Sequence, residues 1–170
     1  MAKVKGLRKL NKVISAEVAP FGISKAFYDT TGYTYYPDSE KIGYQITEGE
    51  PDEFLNDFIK ERFGYTVENQ FIISLLHEIG HHKNNDDIDG DVYEFCISEK
   101  ERISNELAYA KNKKERRKLN YQYFNLPDEI MATSWAVAYA KKHPRKIKKM
   151  WKNCEKGLHD FYRINLLTAD

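Results

Sequence analysis

Residues 77–81 read His-Glu-Ile-Gly-His, two histidines four apart with a glutamate after the first. On a helix this spacing stacks both imidazoles one turn apart on one face, close enough to bind a single tetrahedral metal ion. Glu78 then stands beside the ion, placed to hold and deprotonate a water there. The flanking residues favour a helix. At about 100° per residue, Phe71, Ile72, Leu75, Leu76 and Ile79 gather on one face, and His77 and His81 fall nearly opposite. Such a helix buries its apolar stripe and turns both histidines toward a different surface. His82 falls on the apolar side and reads as structural. H-E-x-x-H is a zinc signature, so Zn2+ is the expected ion, with His77 and His81 as ligands.

A catalytic zinc takes three protein ligands and keeps one position open. Glu129 is the first candidate for the third. It lies in Pro127-Asp-Glu-Ile-Met-Ala-Thr-Ser-Trp-Ala-Val-Ala-Tyr-Ala140, which is apolar nearly all round and belongs in a core. A carboxylate facing a core needs a cation beside it, and a metal ion would serve. Acids in the first turn after a proline are also common for reasons of the helix dipole alone, so Asp128 stays a second candidate. Asp87 is a third. In the longer H-E-x-x-H-x-x-G-x-x-H pattern the last ligand falls at 87, where this chain has Asp, with Asn84 at the glycine position. The loop Asn85-Asp-Asp-Ile-Asp-Gly90 begins like a calcium loop, but Cys96 stands where a bidentate Glu is required.

The expected elements follow from periodicity and stop signals. Residues 1–30 read as one or two helical stretches. Tyr33–Tyr36 and Lys41–Ile46 read as strands about the turn Pro37-Asp-Ser-Glu40. A helix starts at Pro51 and ends near Gly64, and the motif helix covers about 68–82. A charged helix follows over about 91–118, Pro127 opens another to 142, and a basic helix covers about 145–158, continuing toward 167. The expected fold is α+β, a mostly helical single domain over 1–170 with a small antiparallel hairpin or sheet beside the motif helix. Residues 1–30 and 144–170 are possible helical extensions.

The pairing of His77-Glu-x-Gly-His81 with a later Glu129-Ile-Met-Ala132 resembles the gluzincin metallopeptidases. Glu129-Ile-Met-Ala-Thr-Ser-Trp-Ala136 is similar to the E-x-x-A-N-x-F-A signature of ImmA/IrrE-like proteins, with Thr133 for Asn and Trp135 for Phe. It also resembles small metallopeptidases encoded by phages and mobile elements. The resemblance implies a zincin-like fold and a hydrolase, a zinc-dependent peptidase with His77, His81 and Glu129 as ligands and Glu78 as general base. It implies a peptide or protein substrate, received as an added strand at the edge of the 33–46 hairpin. Peptide hydrolysis also needs a donor for the oxyanion. Tyr139, Tyr93 and His143 are candidates among which the sequence does not choose.

With 27 basic and 26 acidic residues the whole molecule is no polyanion binder. The bases are clustered, however, at 111–118 and 141–152, so a nucleic-acid or nucleoprotein binding module is the competing function. Acids at 48–61 and 86–101 balance these runs, which favours solvated helix faces. A degenerate zincin fold used only for protein contacts is a further alternative, against which the intact Glu78 speaks. Cys96 and Cys154 form no C-x-x-C pair and suit a reducing compartment. The basic segment 1–12 has no apolar stretch after it, as a signal peptide would, and the apolar run Phe71–Leu76 is too short to span a bilayer. A cytoplasmic protein without membrane contact is expected.

Overall fold

Local stop signals divide the chain into short helices and one small sheet. The computed structural model describes residues 6–46 and 53–166. Helix α1 (Leu7–Val18) ends in a turn at Ala19–Phe21, after which Gly22 takes φ 95°, a left-handed value that glycine tolerates. The chain then enters strand β1 (Lys25–Tyr28). Residues 25–28 are therefore extended where helix was expected, because the turn at 19–22 breaks the helical path and Ala26 is buried in the sheet. Strands β2 (Thr34–Tyr36) and β3 (Lys41–Tyr44) form the expected antiparallel pair, with Tyr36 opposite Lys41. Strand β1 joins the other side of β3 in parallel, so the sheet is mixed and its order is β1-β3-β2.

The helices are α2 (Glu53–Phe63), α3 (Gln70–Asn84), α4 (Gly90–Tyr109), α5 (Lys113–Phe124), α6 (Pro127–Lys142) and α7 (Pro144–Leu166). The fold is α+β and mostly helical, as the periodicity predicts. The charged helix expected over 91–118 is two helices. Asn112 caps α5 by accepting from the Glu115 backbone N–H at 2.9 Å, and Glu115 reaches back to the Lys111 N–H at 2.8 Å. This reciprocal cap starts a new helix and satisfies donors that an unbroken helix would have used internally. Among the described residues no helix is long and apolar enough to cross a membrane.

The chain forms two compact units, residues 1–48 with 139–170, and residues 49–138. In the first, α1 packs on α7 and on β1, and Leu10, Ile14, Val18, Ala26, Ile42, Met150 and Cys154 are buried. The stretches expected as N- and C-terminal extensions thus share one core. In the second, Leu55, Phe58 and Ile59 of α2 are buried, as are Ile72, Ile73, Leu75, Leu76 and Ile79 of α3. Phe58 packs edge-on to Tyr121 and beside Phe124, each at 5.5 Å between ring centres. Cys96, Ile103, Leu119 and Leu126 form a cluster in the same unit. Both cysteines are free and buried.

Candidate metal centre

The site is built by two helices of the second unit that approach to backbone contact. Asn69 starts α3 by accepting from the Ile72 N–H at 2.9 Å, and the helix then runs without break through both histidines. Its neighbour is α6. A Cβ at Gly80 would stand 2.4 Å from the Ala132 carbonyl oxygen and 2.8 Å from the Ala132 Cα. Only glycine permits this separation. Gly80 lies between His77 and His81, and Ala132 lies between Glu129 and Thr133, so the crossing point brings the four polar side chains together. The histidine face of α3, turned away from the apolar stripe, is covered by α6.

Three ligand atoms converge there. His77 Nε2 is 2.9 Å from Glu129 Oε2, His81 Nε2 is 3.4 Å from Glu129 Oε1, and the two Nε2 atoms are 3.2 Å apart. The imidazole rings stand perpendicular with their centres 4.8 Å apart. His77, His81 and Glu129 together could hold a metal ion. The donor chemistry fits one: two imidazole nitrogens and a carboxylate, with one ligand atom from each residue within 4.8 Å of the others, are a donor set that zinc takes. The second nitrogen of His77, Nδ1, lies 3.0 Å from Thr133 Oγ1. With a metal ion on Nε2, Nδ1–H would donate to that hydroxyl and fix the ring orientation in the way outer partners of metal-ligating histidines do. Glu78 is buried at 7% exposure on the same helix, and its carboxylate makes no hydrogen bond or ion pair among the described residues.

The cluster is electrostatically coupled. Burial opposes ionisation of Glu129, which is 1% exposed, but the charge on His81 and the hydrogen bond from His77 hold its carboxyl well below the ordinary carboxylate range. For His81, burial likewise opposes the charged form, and the Glu129 carboxylate overrides it and raises the pKa. A further cation is present. Lys100 of α4 contacts Asp128 Oδ2 and lies 2.5 Å from Glu129 Oε1. Burial works against its charge, yet Glu129 first and then Tyr123 and Asp128 raise its pKa. Burial and then the Glu129 charge push the Tyr123 phenol up, and Lys100 Nζ sits 5.4 Å from the centre of that ring.

Lys100 and a metal ion would therefore share Glu129. Lys100→Met removes the cation from two buried carboxylates, a loss on the order of 3 kcal/mol for a broken buried pair. A bound metal ion restores part of the missing charge at Glu129, so the loss is expected to be smaller in the metal-loaded protein. Urea unfolding of the variant with and without metal measures the difference. Equal losses in the two states would mean that the lysine and the ion act independently.

The other candidates lie elsewhere. Asp128 is buried, but its Oδ2 is bound to Lys100 and it is no member of the converging group. Asp87 is exposed in the loop after α3 and is outside the group as well. Tyr93 is 41% exposed on α4. Tyr139 and His143 belong to the first unit, where their rings pack 4.6 Å apart. Lys100, Thr133 and Tyr123 were missed as participants. Lys100 carried a legible signal: it falls four residues after Cys96 and three before Ile103, so a lysine occupies the buried stripe of α4 and must find an anion.

No protein-family model, curated protein or solved structure matches the chain. The functional reading therefore rests on the residues themselves.

Proposed function

We propose that the chain is a zinc-dependent peptidase, with zinc held by His77, His81 and Glu129 and with Glu78 as the general base. The observation that carries the reading is the convergence of His77 Nε2, His81 Nε2 and the Glu129 carboxylate, one ligand atom from each lying within 4.8 Å of the others, next to a Glu78 that makes no hydrogen bond or ion pair among the described residues. Two imidazoles with one carboxylate are a donor set of catalytic zinc, whereas structural zinc sites are closed by four ligands, usually with thiolates. Both cysteines lie outside the group. A degenerate site kept only for contacts has no use for a buried glutamate beside the ligands.

When bound, zinc would supply a Lewis acid that polarises a carbonyl and makes water more acidic. The remaining work falls to the chain. Glu78 takes a proton from the attacking water and delivers it to the leaving amine, general base and then general acid. Thr133 keeps the His77 ring in register, and Lys100 pairs with the Glu129 carboxylate. The substrate class, a peptide or protein, follows from the resemblance of the two motifs to gluzincins of the ImmA/IrrE-like kind.

Metal analysis of the purified chain tests the ligand set. Zinc is expected near one equivalent, removed by a chelator and by acid, since ligation requires neutral imidazoles. His77→Ala and Glu129→Ala are expected to lose the ion, and Asp87→Ala to keep it. Full retention by Glu129→Ala with loss in Asp87→Ala would transfer the third ligand to Asp87.

A further inference from the structure

The two units differ sharply in charge. Residues 1–48 with 139–170 contain 16 Lys and Arg against 8 Asp and Glu, whereas residues 49–138 contain 11 against 18. The near-neutral total hides a basic unit and an acidic one.

Within the basic unit the surplus is concentrated on one ridge of α7. At about 100° per residue, Arg145, Lys148, Lys149, Lys152, Lys156 and Arg163 fall within about 60° of one line along the helix. All six are exposed, and they extend over about 27 Å at 1.5 Å per residue. The first five make no hydrogen bond or ion pair among the described residues. Arg163 has only a 3.8 Å contact to Asp160, which Lys9 of α1 already holds at 2.7 Å. The other basic run is different. On α5, Arg117 is bound by Asp57 and Glu61 of α2 at 2.9 and 3.0 Å, and Glu115 is engaged in the helix cap. The two runs look alike in sequence, but α7 lines up six exposed cations, five of them without a hydrogen bond or ion pair among the described residues, whereas on α5 Arg117 is held by two acids and Lys114, Arg116 and Lys118 remain.

We propose that the α7 ridge is a binding surface for the phosphate backbone of double-stranded DNA. A duplex carries one charge per about 1.7 Å of its axis, and each phosphate neutralised by Lys or Arg releases bound counterions. Six cations set along one line of a 23-residue helix meet that continuous charge. A lipid surface is disfavoured because the opposite face of α7 is already used. Met150, Cys154 and Gly157 are buried on it, and a Cβ at Gly157 would come within 3.2 Å of Leu10 and Val13 of α1. Without a free apolar face the helix cannot lie in a membrane interface. The one ring in line with the ridge is the exposed His159, too few for the succession of stacked bases that single strands need. The major groove of B-form DNA admits a helix, while that of A-form RNA is too narrow.

Fluorescence anisotropy with a labelled DNA duplex of about 20 base pairs, titrated with the full chain over a series of salt concentrations, tests the proposal. Binding is expected at low salt, with log K falling against log salt at a slope of about −4.5 for five phosphate contacts. K149E/K152E/K156E, at three exposed positions without partners, is expected to flatten the slope by about 2.7 and weaken binding at least tenfold near 0.05 M salt. K114E/K118E on α5 and His77→Ala are expected to bind as the parent does, which keeps this test separate from that of the metal site. No binding at low salt, or equal losses in the α5 and α7 variants, overturns the proposal. So does equal affinity for an RNA duplex of the same length. Salt-sensitive self-association of the chain that the α7 variant abolishes, without DNA binding, would instead assign the ridge to the acidic unit of a second copy.

Discussion

Glu78→Gln is expected to lower hydrolysis of an unfolded protein substrate by about 10³-fold or more while zinc stays near one equivalent. The amide has nearly the shape of the carboxylate but cannot accept the proton of the attacking water. Because the Glu78 side chain makes no hydrogen bond or ion pair among the described residues, its replacement leaves no buried partner unsatisfied. Stability and metal content should therefore hold, and the fall should lie in kcat. The ligand variants differ in kind: His77→Ala and Glu129→Ala lose activity by losing the ion. Parallel metal analysis and rate measurement separate the two behaviours. A Glu78→Gln protein that is zinc-loaded and fully active would remove the general-base assignment, and with it the main argument for a peptidase over a binding fold.

Gly80→Ala is expected to unfold more easily and to bind zinc at least tenfold more weakly. Two effects oppose each other. In an exposed helix the exchange gains about 1 kcal/mol of helix propensity. Here the new methyl group would meet the Ala132 carbonyl oxygen at 2.4 Å and the Ala132 Cα at 2.8 Å. Both are backbone atoms, so no side chain can rotate away, and α3 and α6 must separate. Overpacking of this kind costs about 1–3 kcal/mol and here outweighs the propensity gain. Separation also pulls Glu129 from the two imidazoles, and ligand distances tolerate only about 0.2 Å. Thermal unfolding together with zinc affinity reads both consequences. An unchanged affinity would mean that the ligand triangle does not depend on the close helix contact.

The motif helix was legible because its signals are local. The apolar positions of α3 repeat with the helical period, and the same arithmetic puts His77 and His81 together on the other face. The Pro127 start of α6, the Gly64 end of α2 and the hairpin about Pro37–Glu40 are read from residues that restrict their own backbone. Strand β1 and the break between α4 and α5 depend on more than local signals. Four residues of Lys-Ala-Phe-Tyr become a strand only because β3, 16 positions later in register, offers a partner. The Asn112–Glu115 cap was visible in the sequence but stood inside a charged run that would also propagate a helix.

The chemistry available to this protein is written locally: two imidazoles one turn apart, a glutamate between them, and a carboxylate on an apolar helix that requires a cation. Such facts depend on residue type and on a period of 3.6, and both are properties of a short segment. Only the tertiary structure chose Glu129 over Asp128 and Asp87, because the choice depends on which carboxylate the crossing of α3 and α6 at Gly80 brings to the histidines. It also brought Lys100 to the same carboxylate across 29 positions, and it bound Arg117 of α5 to Asp57 and Glu61 while leaving the α7 cation row without such partners among the described residues. Neighbours distant in the chain set these outcomes, and local patterns carry no record of them.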